Sequence, residues 1–415
     1  MKPLRVAIFT GEFPVLSETF VIRQISGLLD QGVDVTIIAG QQGDYAVLHE
    51  LFVRHCMAER VKYVRKSIGG AEKLLSVCRF LLCSPLSRRG RLQLRSAFSA
   101  ISKGNSPSIV DIAERYALRG EGQHLGDYDA IIAHFGQNGV RTLRLREAGL
   151  ISGPLATIFH GFDMSNLLHL KKWRPSYSEL FDKTEMLLPI SDLWKCRLTG
   201  WGAPPEKIRV LRMGVDVNHF RVSESDRDVK MPLRVLSVAR LTEKKGISYA
   251  VDGVRNAQAS IHYKIIGAGP LLGALEASSL NLPPGKTIEF LGKKAQKDVF
   301  SELENTDVFL LPSVTASDGD MEGIPVSIME AMAKGVVVLA TRHSGVPELV
   351  EDGKTGFLVA ERSTAEISRK LDLIASNGSM LPVIRQAARE KVESDFNNVR
   401  LDVELLGIIE AMAKN

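Results

Sequence analysis

Two carboxylates, Glu322 and Glu330, stand eight residues apart in the stretch Asp318-Gly-Asp-Met-Glu-Gly-Ile-Pro-Val-Ser-Ile-Met-Glu-Ala-Met-Ala-Lys-Gly335. Pro325 suits the first position of a helix and Gly335 its stop, with good helix formers between them. The pattern predicts Glu322 just before the helix and Glu330 two turns inside it, roughly 12 Å apart along the axis at ~1.5 Å per residue. The amides of Gly323 and Ile324 fall at the helix start, where unpaired N–H groups and the helix dipole attract phosphate. A ligand with hydroxyls at both ends and a diphosphate between them fits that geometry. The plain alternative is an amphipathic helix whose Ile328, Met329 and Met332 face a core while both glutamates are solvated.

Other segments carry chemistry of the same kind. Val238-Ala-Arg-Leu-Thr-Glu-Lys-Lys-Gly246 puts Arg240 and Lys245 in a strand-to-helix turn, with Lys244 competing for the role of Lys245. Ile265-Ile-Gly-Ala-Gly-Pro270 ends a strand with Gly267 and Gly269, where a backbone can approach a ligand or simply turn tightly. His160 follows an apolar strand in Phe159-His-Gly-Phe-Asp163, and His134-Phe-Gly-Gln-Asn138 ends another. Gly11-Glu-Phe-Pro-Val-Leu-Ser-Glu-Thr-Phe20 joins a first strand to a first helix, with Ser17 the expected N-cap and Glu18 a first-turn acid.

The elements that must position these residues form two series. At 415 residues the chain exceeds one hydrophobic core, and 45% hydrophobic with 24% charged residues describes a globular protein. Apolar strand runs at 5–9, 33–39, 130–134, 155–159, 186–190 and 208–212 alternate with helical stretches at 18–29, 139–148 and 193–200. A polar stretch, 221–230, reads as a linker. Strands resume at 233–239, 261–266, 287–291, 308–311, 336–340 and 357–359, and the tail, 399–413, has helical periodicity. The expectation is α/β, with two doubly wound Rossmann-like domains whose strand ends face a common cleft. No run of about 18 apolar residues is present to span a membrane, and residues 1–10 read as a strand rather than a secretory signal. Cys56, Cys78, Cys83 and Cys196 follow no zinc or redox spacing and are expected to be reduced, mostly packed thiols in a cytoplasmic protein.

The wording of these motifs closely resembles retaining glycosyltransferases of family 4, two-domain enzymes of the GT-B fold. Asp318-Gly-Asp-Met-Glu-Gly-Ile-Pro-Val326 and Phe13-Pro-Val-Leu-Ser-Glu-Thr-Phe20 resemble the branch that assembles bacterial exopolysaccharides of the colanic-acid type. The resemblance runs through both domains, dense from 209 to 359 and sparser before 151. It implies an acceptor-side domain over 1–222, a nucleotide-sugar domain over 223–395, and a final helix, 396–415, crossing back to the first domain. It also implies roles. Arg240 and Lys245 bind the donor diphosphate, His160 lies beside the donor sugar, Glu322 accepts from sugar hydroxyls and Glu330 from ribose hydroxyls. Gly11, Gly267, Gly269 and Gly292 approach the donor, and Gly323, Ile324 and Pro325 cradle its phosphates. The implied reaction retains anomeric configuration and needs no metal or other cofactor. Ser344-Gly-Val-Pro-Glu-Leu-Val350 completes the likeness as supporting structure.

Residues 60–103 lie outside that signature. They hold eleven Lys and Arg against one acid, Glu72, a local net of +10 in a chain whose net charge is +5. Leu74, Leu75, Cys78, Leu81 and Leu82 fall on one helical face among the charges, a pattern that suits an anionic membrane surface or a helix packed by its apolar side. No groove-reading or base-stacking motif accompanies the charge, so nucleic acid is not an expected partner. The resulting expectation is a hexosyltransferase moving sugar from a nucleoside diphosphate, UDP foremost, to a lipid-linked oligosaccharide at the inner face of the cytoplasmic membrane. The alternatives are a transferase with a small soluble acceptor such as a sugar phosphate, and a non-catalytic membrane-associated assembly subunit. An epimerase on a similar fold fits the Glu-x7-Glu wording less well.

Overall fold

A computed structural model describes residues 3–15, 18–44, 50–64, 124–220 and 231–414. The first sheet and its neighbours comprise β1 (Arg5–Phe13), β2 (Asp34–Gln42), β3 (Val61–Tyr63), β4 (Gly126–Asp127), β5 (Ala130–His134), β6 (Ile151–Ser152), β7 (Leu155–Phe159) and β8 (Met186–Pro189). The second sheet comprises β9 (Leu233–Val238), β10 (Ile261–Ile266), β11 (Lys286–Gly292), β12 (Val308–Leu311), β13 (Val337–Thr341) and β14 (Phe357–Val359). Their orders are β3-β2-β1-β5-β7-β8 and β11-β10-β9-β12-β13-β14, every pairing parallel, while β4 and β6 form a separate two-stranded piece. Every residue of β5, β7, β12 and β13 is buried, as continuous Val, Ile, Leu and Ala runs require when helices cover both faces. In each sheet the order reverses beside the first strand, between β1 and β5 and between β9 and β12. At such switch points the loops leaving the strands diverge and open a crevice.

Several expected elements differ from those observed. Residues 208–212 are not a strand. Arg209 and Leu211 donate N–H bonds to Leu187 and Pro189 carbonyls, but pairing stops at a single bridge, Leu187 to Ile208, because Pro189 has no N–H to return. A long helix, Leu167–Lys183, occupies a stretch with no expected element. Pro175 and many polar residues hide its pattern, while buried Trp173, Tyr177, Leu180 and Phe181 hold it down. The helix after Pro325 runs Val326–Ala333, with Pro325 as its N-cap, so Glu330 lies little more than one turn inside. Glu322 sits in non-helical chain, and the expected axial separation does not apply. Cys56 and Cys196 are free and exposed rather than packed. The first helix, Thr19–Asp30, starts two residues beyond Ser17 and has Glu18 at its N-cap with no side-chain cap bond, so Ser17 is not the cap and Glu18 is not a first-turn acid. The expected linker at 221–230, Cys78, Cys83 and the basic segment from Arg65 onward lie outside the described residues.

The last helix, Asn398–Ala413, buries Leu405, Ile408, Ile409 and Met412 in the core of the first domain. The chain therefore passes between domains twice, and the passages lie side by side. Val215 donates to Phe396 O (2.9 Å) and Asn398 donates to Val215 O (3.0 Å). Replacing fully buried Leu405 by Ala is expected to destabilise the protein by about 2–5 kcal/mol in urea unfolding. Val403→Ala, on the exposed face of the same helix, is expected to stay within about 0.5 kcal/mol.

Candidate active site

The loops leaving the strands around both switch points converge on one cleft of about 560 Å³, a volume typical of small-molecule sites. The first domain supplies Glu18, Thr19 and Phe20 after β1, Phe135 after β5, His160 and Phe162 after β7, and Ile190 after β8. The second domain supplies Arg240, Lys244 and Lys245 after β9, then residues Asp320 to Ser327, from the loop after β12 into the first turn of the helix Val326–Ala333.

Two glycines let the halves meet. A Cβ on Gly161, whose φ is +120°, would lie 3.1 Å from Gly323 N and 3.2 Å from Glu322 O. One on Gly323 would lie 2.6 Å from His160 O and 2.5 Å from Ile190 Cδ1. Asp163 locks the His160 loop from beneath. Its Oδ1 accepts the His160 and Gly161 N–H groups at 3.0 Å each, and its Oδ2 accepts Gly136 N–H at 2.7 Å. Burial pushes this carboxyl up to about 6, and the donated amides pull the other way. Ser165 Oγ then accepts Met321 N–H from the opposite domain (3.0 Å).

His160 is held by aromatic neighbours and a second histidine. Phe20 and Phe135 rings lie 4.7 and 4.5 Å from it, and His134 stacks at 5.3 Å with Nδ1 3.1 Å from His160 Nε2. Burial lowers His134 to about 3; burial and then the neighbouring His134 lower His160 well below its ordinary value. Both rings are therefore neutral near pH 7, and one donates to the other. Among the described residues His134 Nε2 and His160 Nδ1 have no partner, so His160 keeps a buried polar atom beside the cleft.

The acids and bases of the second domain are paired. Lys245 Nζ lies 2.9 Å from Glu322 Oε1, and Lys244 Nζ lies 2.9 Å from Asp320 Oδ2. The Lys245 approach is off the hydrogen-bonding direction, so Glu322 Oε1 keeps acceptor capacity. Burial favours the protonated form of Glu322, but the Lys245 and Lys244 charges outweigh it and hold the carboxyl below its usual range. Its backbone is pinned on both sides. Glu322 N–H donates to His343 Nε2 (3.1 Å), and Ser344 Oγ donates to Glu322 O (2.6 Å). His343 Nδ1 lies 2.6 Å from Glu361 Oε1, which fixes the proton on Nδ1 and leaves Nε2 to accept.

The structure thus gathers His160, Arg240, Lys245, Glu322, Gly323, Ile324 and Pro325, and adds Lys244 as a second paired cation. Glu330 does not line the cleft. It lies one turn along the helix, where burial raises it to about 7 while the charge of Arg23 and a bond from Gln296 oppose the rise. A Cβ on Gly11 would lie 3.6 Å from the Asn138 amide, while those on Gly267 and Gly269 would run into the carbonyls of Ala239 and Leu241. Gly292 takes the left-handed conformation at the end of β11, with its carbonyl bonded to Gly267 N–H. None of these four lines the cleft; the approach they permit is backbone to backbone. Asp163, Asp320 and His343 were not singled out by sequence reasoning, and only the His-Gly-x-Asp spacing carried any signal for them. Among the described residues no three His, Cys, Asp or Glu side chains cluster as metal ligands would.

Gly323→Ala is expected to force the two loops apart, lowering stability by about 1–3 kcal/mol in denaturant unfolding and weakening every activity of the cleft. His134 carries a separate signature. The unfolded chain takes up its proton near 6.5 and the folded chain only near 3, so stability is lost as pH falls through that window. His134→Phe is expected to reduce the slope of stability against pH there by about 1.4 kcal/mol per unit, measured by urea unfolding at several pH values.

A model of the family described as glycosyl transferases group 1 matches residues 222–391. WcaL of Salmonella typhimurium, named for colanic acid biosynthesis, is 38% identical over 416 residues, covering 99% of this chain and 100% of that protein. AmsK of Erwinia amylovora, named for amylovoran biosynthesis, is 36% identical with 99% and 100% coverage. Among solved structures, Anabaena HepE in complex with UDP and glucose superposes with a TM-score of 0.70 at 17% identity, covering 98% of this chain and all of that one. The lipopolysaccharide outer core galactosyltransferase WaaB gives a TM-score of 0.65 at 16% identity, with 98% and 99% coverage. With full-length relatives above a third identical, the GT-B architecture and the matched domain, the chain belongs to the group 1 glycosyltransferases.

Proposed function

We propose that this glycosyltransferase moves a hexose, with retained configuration, from a UDP-sugar to a lipid-linked oligosaccharide in exopolysaccharide assembly at the inner face of the cytoplasmic membrane. One observation carries the proposal: three cations, Arg240, Lys244 and Lys245, and the ionised Glu322 share a cleft with the unpartnered edge of His160. The full-length likeness to WcaL and AmsK supports the exopolysaccharide setting, and the UDP held by HepE supports the base.

An arriving diphosphate competes with Glu322 and Asp320 for the lysines. Lys245 and Arg240 neutralise the leaving diphosphate as the bond from the anomeric carbon to phosphate oxygen lengthens, a charge otherwise met by a metal ion. The Gly323 and Ile324 amides, just ahead of the helix Val326–Ala333, add donors there. Glu322, with Lys245 now shared with the diphosphate and still close enough to keep it ionised, accepts from donor-sugar hydroxyls. His160 seats the sugar as positive charge grows at the anomeric carbon. The acceptor oxygen attacks the face from which the phosphate leaves, and its proton passes to the departing phosphate oxygen, so no protein base is assigned. Glu330 meets the ribose. No metal takes part in this scheme.

The test joins binding to turnover. UDP at 100 times its dissociation constant is expected to stabilise the protein by ~2.7 kcal/mol in thermal unfolding, with GDP and ADP weaker and Glu330→Ala blunting the shift. Arg240→Ala and Glu322→Gln are each expected to lower kcat about 10²- to 10³-fold with lipid-linked acceptor, and chelator to leave the rate unchanged. Near-normal transfer by both variants would overturn the site, and loss of activity with chelator would overturn the metal-free scheme.

A further inference from the structure

The helix Leu167–Lys183 follows the His160 loop directly and has two unlike faces. Trp173, Ser176, Tyr177, Leu180 and Phe181 are buried against the first domain. The opposite stripe, Leu167, Leu168, Lys171, Lys172 and Pro175, is exposed, with Leu167 at 59% and Leu168 at 76%. Large aliphatic side chains so open, in the first turn of an ordered helix, cover no core. Phe162, one turn of chain earlier, is 40% exposed and also lines the cleft. The leucines therefore lie at the cleft mouth, where Leu167 N–H donates to Asp318 O of the second domain (2.9 Å).

The charges carried by the stripe itself are of one sign, and an acid of the second domain, Asp318, stands at its start. Lys171 and Lys172 are exposed one turn beyond the leucines; Lys172 lies over the Trp173 ring at 5.2 Å, and among the described residues neither lysine has a carboxylate partner. Asp318, the near acid, already accepts Asn166 Nδ2–H at 2.8 Å. Apolar side chains leading a pair of lysines match an anionic bilayer, with aliphatic groups below the headgroups and ammonium groups among the phosphates.

We infer that the exposed stripe Leu167, Leu168, Lys171 and Lys172 is a docking face for the surface of an anionic phospholipid bilayer, holding the cleft mouth against the membrane that carries the acceptor. The inference rests on the proposed lipid-linked acceptor. It places membrane contact at the cleft itself, apart from the basic segment 60–103. Phe162, open to both cleft and stripe, then borders the route by which a lipid-borne sugar enters.

The experiment is co-sedimentation of the full chain with vesicles of phosphatidylcholine alone and with a third phosphatidylglycerol, at several salt concentrations. Wild type, Leu168→Ser and the double variant Lys171→Ala/Lys172→Ala are compared. UDP-sugar hydrolysis without acceptor, and thermal unfolding, are read in parallel as controls on the donor site and the fold. Binding is expected only to the anionic vesicles. The double variant is expected to lose about 25-fold in partition coefficient, about fivefold per lysine. Leu168→Ser is expected to weaken binding at high salt as well as low, with donor hydrolysis and unfolding unchanged in both variants. Partition within twofold of wild type in both variants, or no vesicle binding by wild type, would overturn the inference. A dimer in light scattering that Leu168→Ser dissolves, without vesicle binding, would also overturn it and assign the face to a second copy of the chain. Absent donor turnover with intact, stripe-dependent vesicle binding would instead strike at the proposed reaction.

Discussion

Everything in the cleft depends on two stretches of backbone approaching to a distance that a Cβ on Gly323 would forbid and one on Gly161 would crowd. Gly161 and Gly323 belong to different domains, yet each would place a methyl group against the other's loop. Because neither has one, the His160 loop and the Glu322 loop touch directly. The supports behind them make the contact reproducible. Asp163 gathers three amides under the first loop, while His343, Ser344 and Glu361 pin the second. Polar groups buried at such a junction must be satisfied by fixed partners, since an unpaired one costs about 1–3 kcal/mol. The same bonds that satisfy them fix the loops.

Within that frame the electrostatics are self-compensating. Each lysine of the Glu243–Lys245 turn is matched by an acid from the Asp320 to Glu322 stretch, so little uncompensated charge is desolvated when the domains meet. A polyanionic ligand need not create order in such a site; it exchanges partners. The first domain contributes little charge beyond Glu18, which burial and then Glu12 raise to about 7 while Arg240 opposes them. The two walls thus have different characters, aromatic and neutral on one side, ionic on the other.

Much of the scaffold was legible from residue order. β5, β7, β12 and β14 occupy the expected residues because strands buried on both faces write themselves as apolar runs, and β10 does so with His262 and Lys264 alternating between buried residues. Legibility failed where a single residue overruled the pattern. Pro189 denies 208–212 a ladder, and Pro175 masks a helix that tertiary packing sustains. The site divides the same way. Glu322, Arg240, Lys245 and His160 were legible because their motifs have distinctive wording. Their supports were less so, since Asp320, His343 and one arm of Asp163 act through contacts between segments distant in sequence. Glu330 shows the limit of spacing alone: its position along the chain was plain, but not its burial or the opposing charge of an arginine of the other domain.

The doubled passage between the domains governs how they can move. Val215 and Asn397 run parallel and share backbone bonds, and a Cβ on Gly214 would lie 2.2 Å from Phe396 O. A single strand would act as a swivel, free to twist and bend in any direction. Two stretches joined by a bridge resist torsion and sliding more than one does, and favour rotation about the line that crosses both. Opening would then part Gly161 from Gly323 along a fixed arc and return them to the same register, with little conformational search on each closure. The alignment of the two walls is in this sense written into the connection between them, and not only into the contacts where they meet.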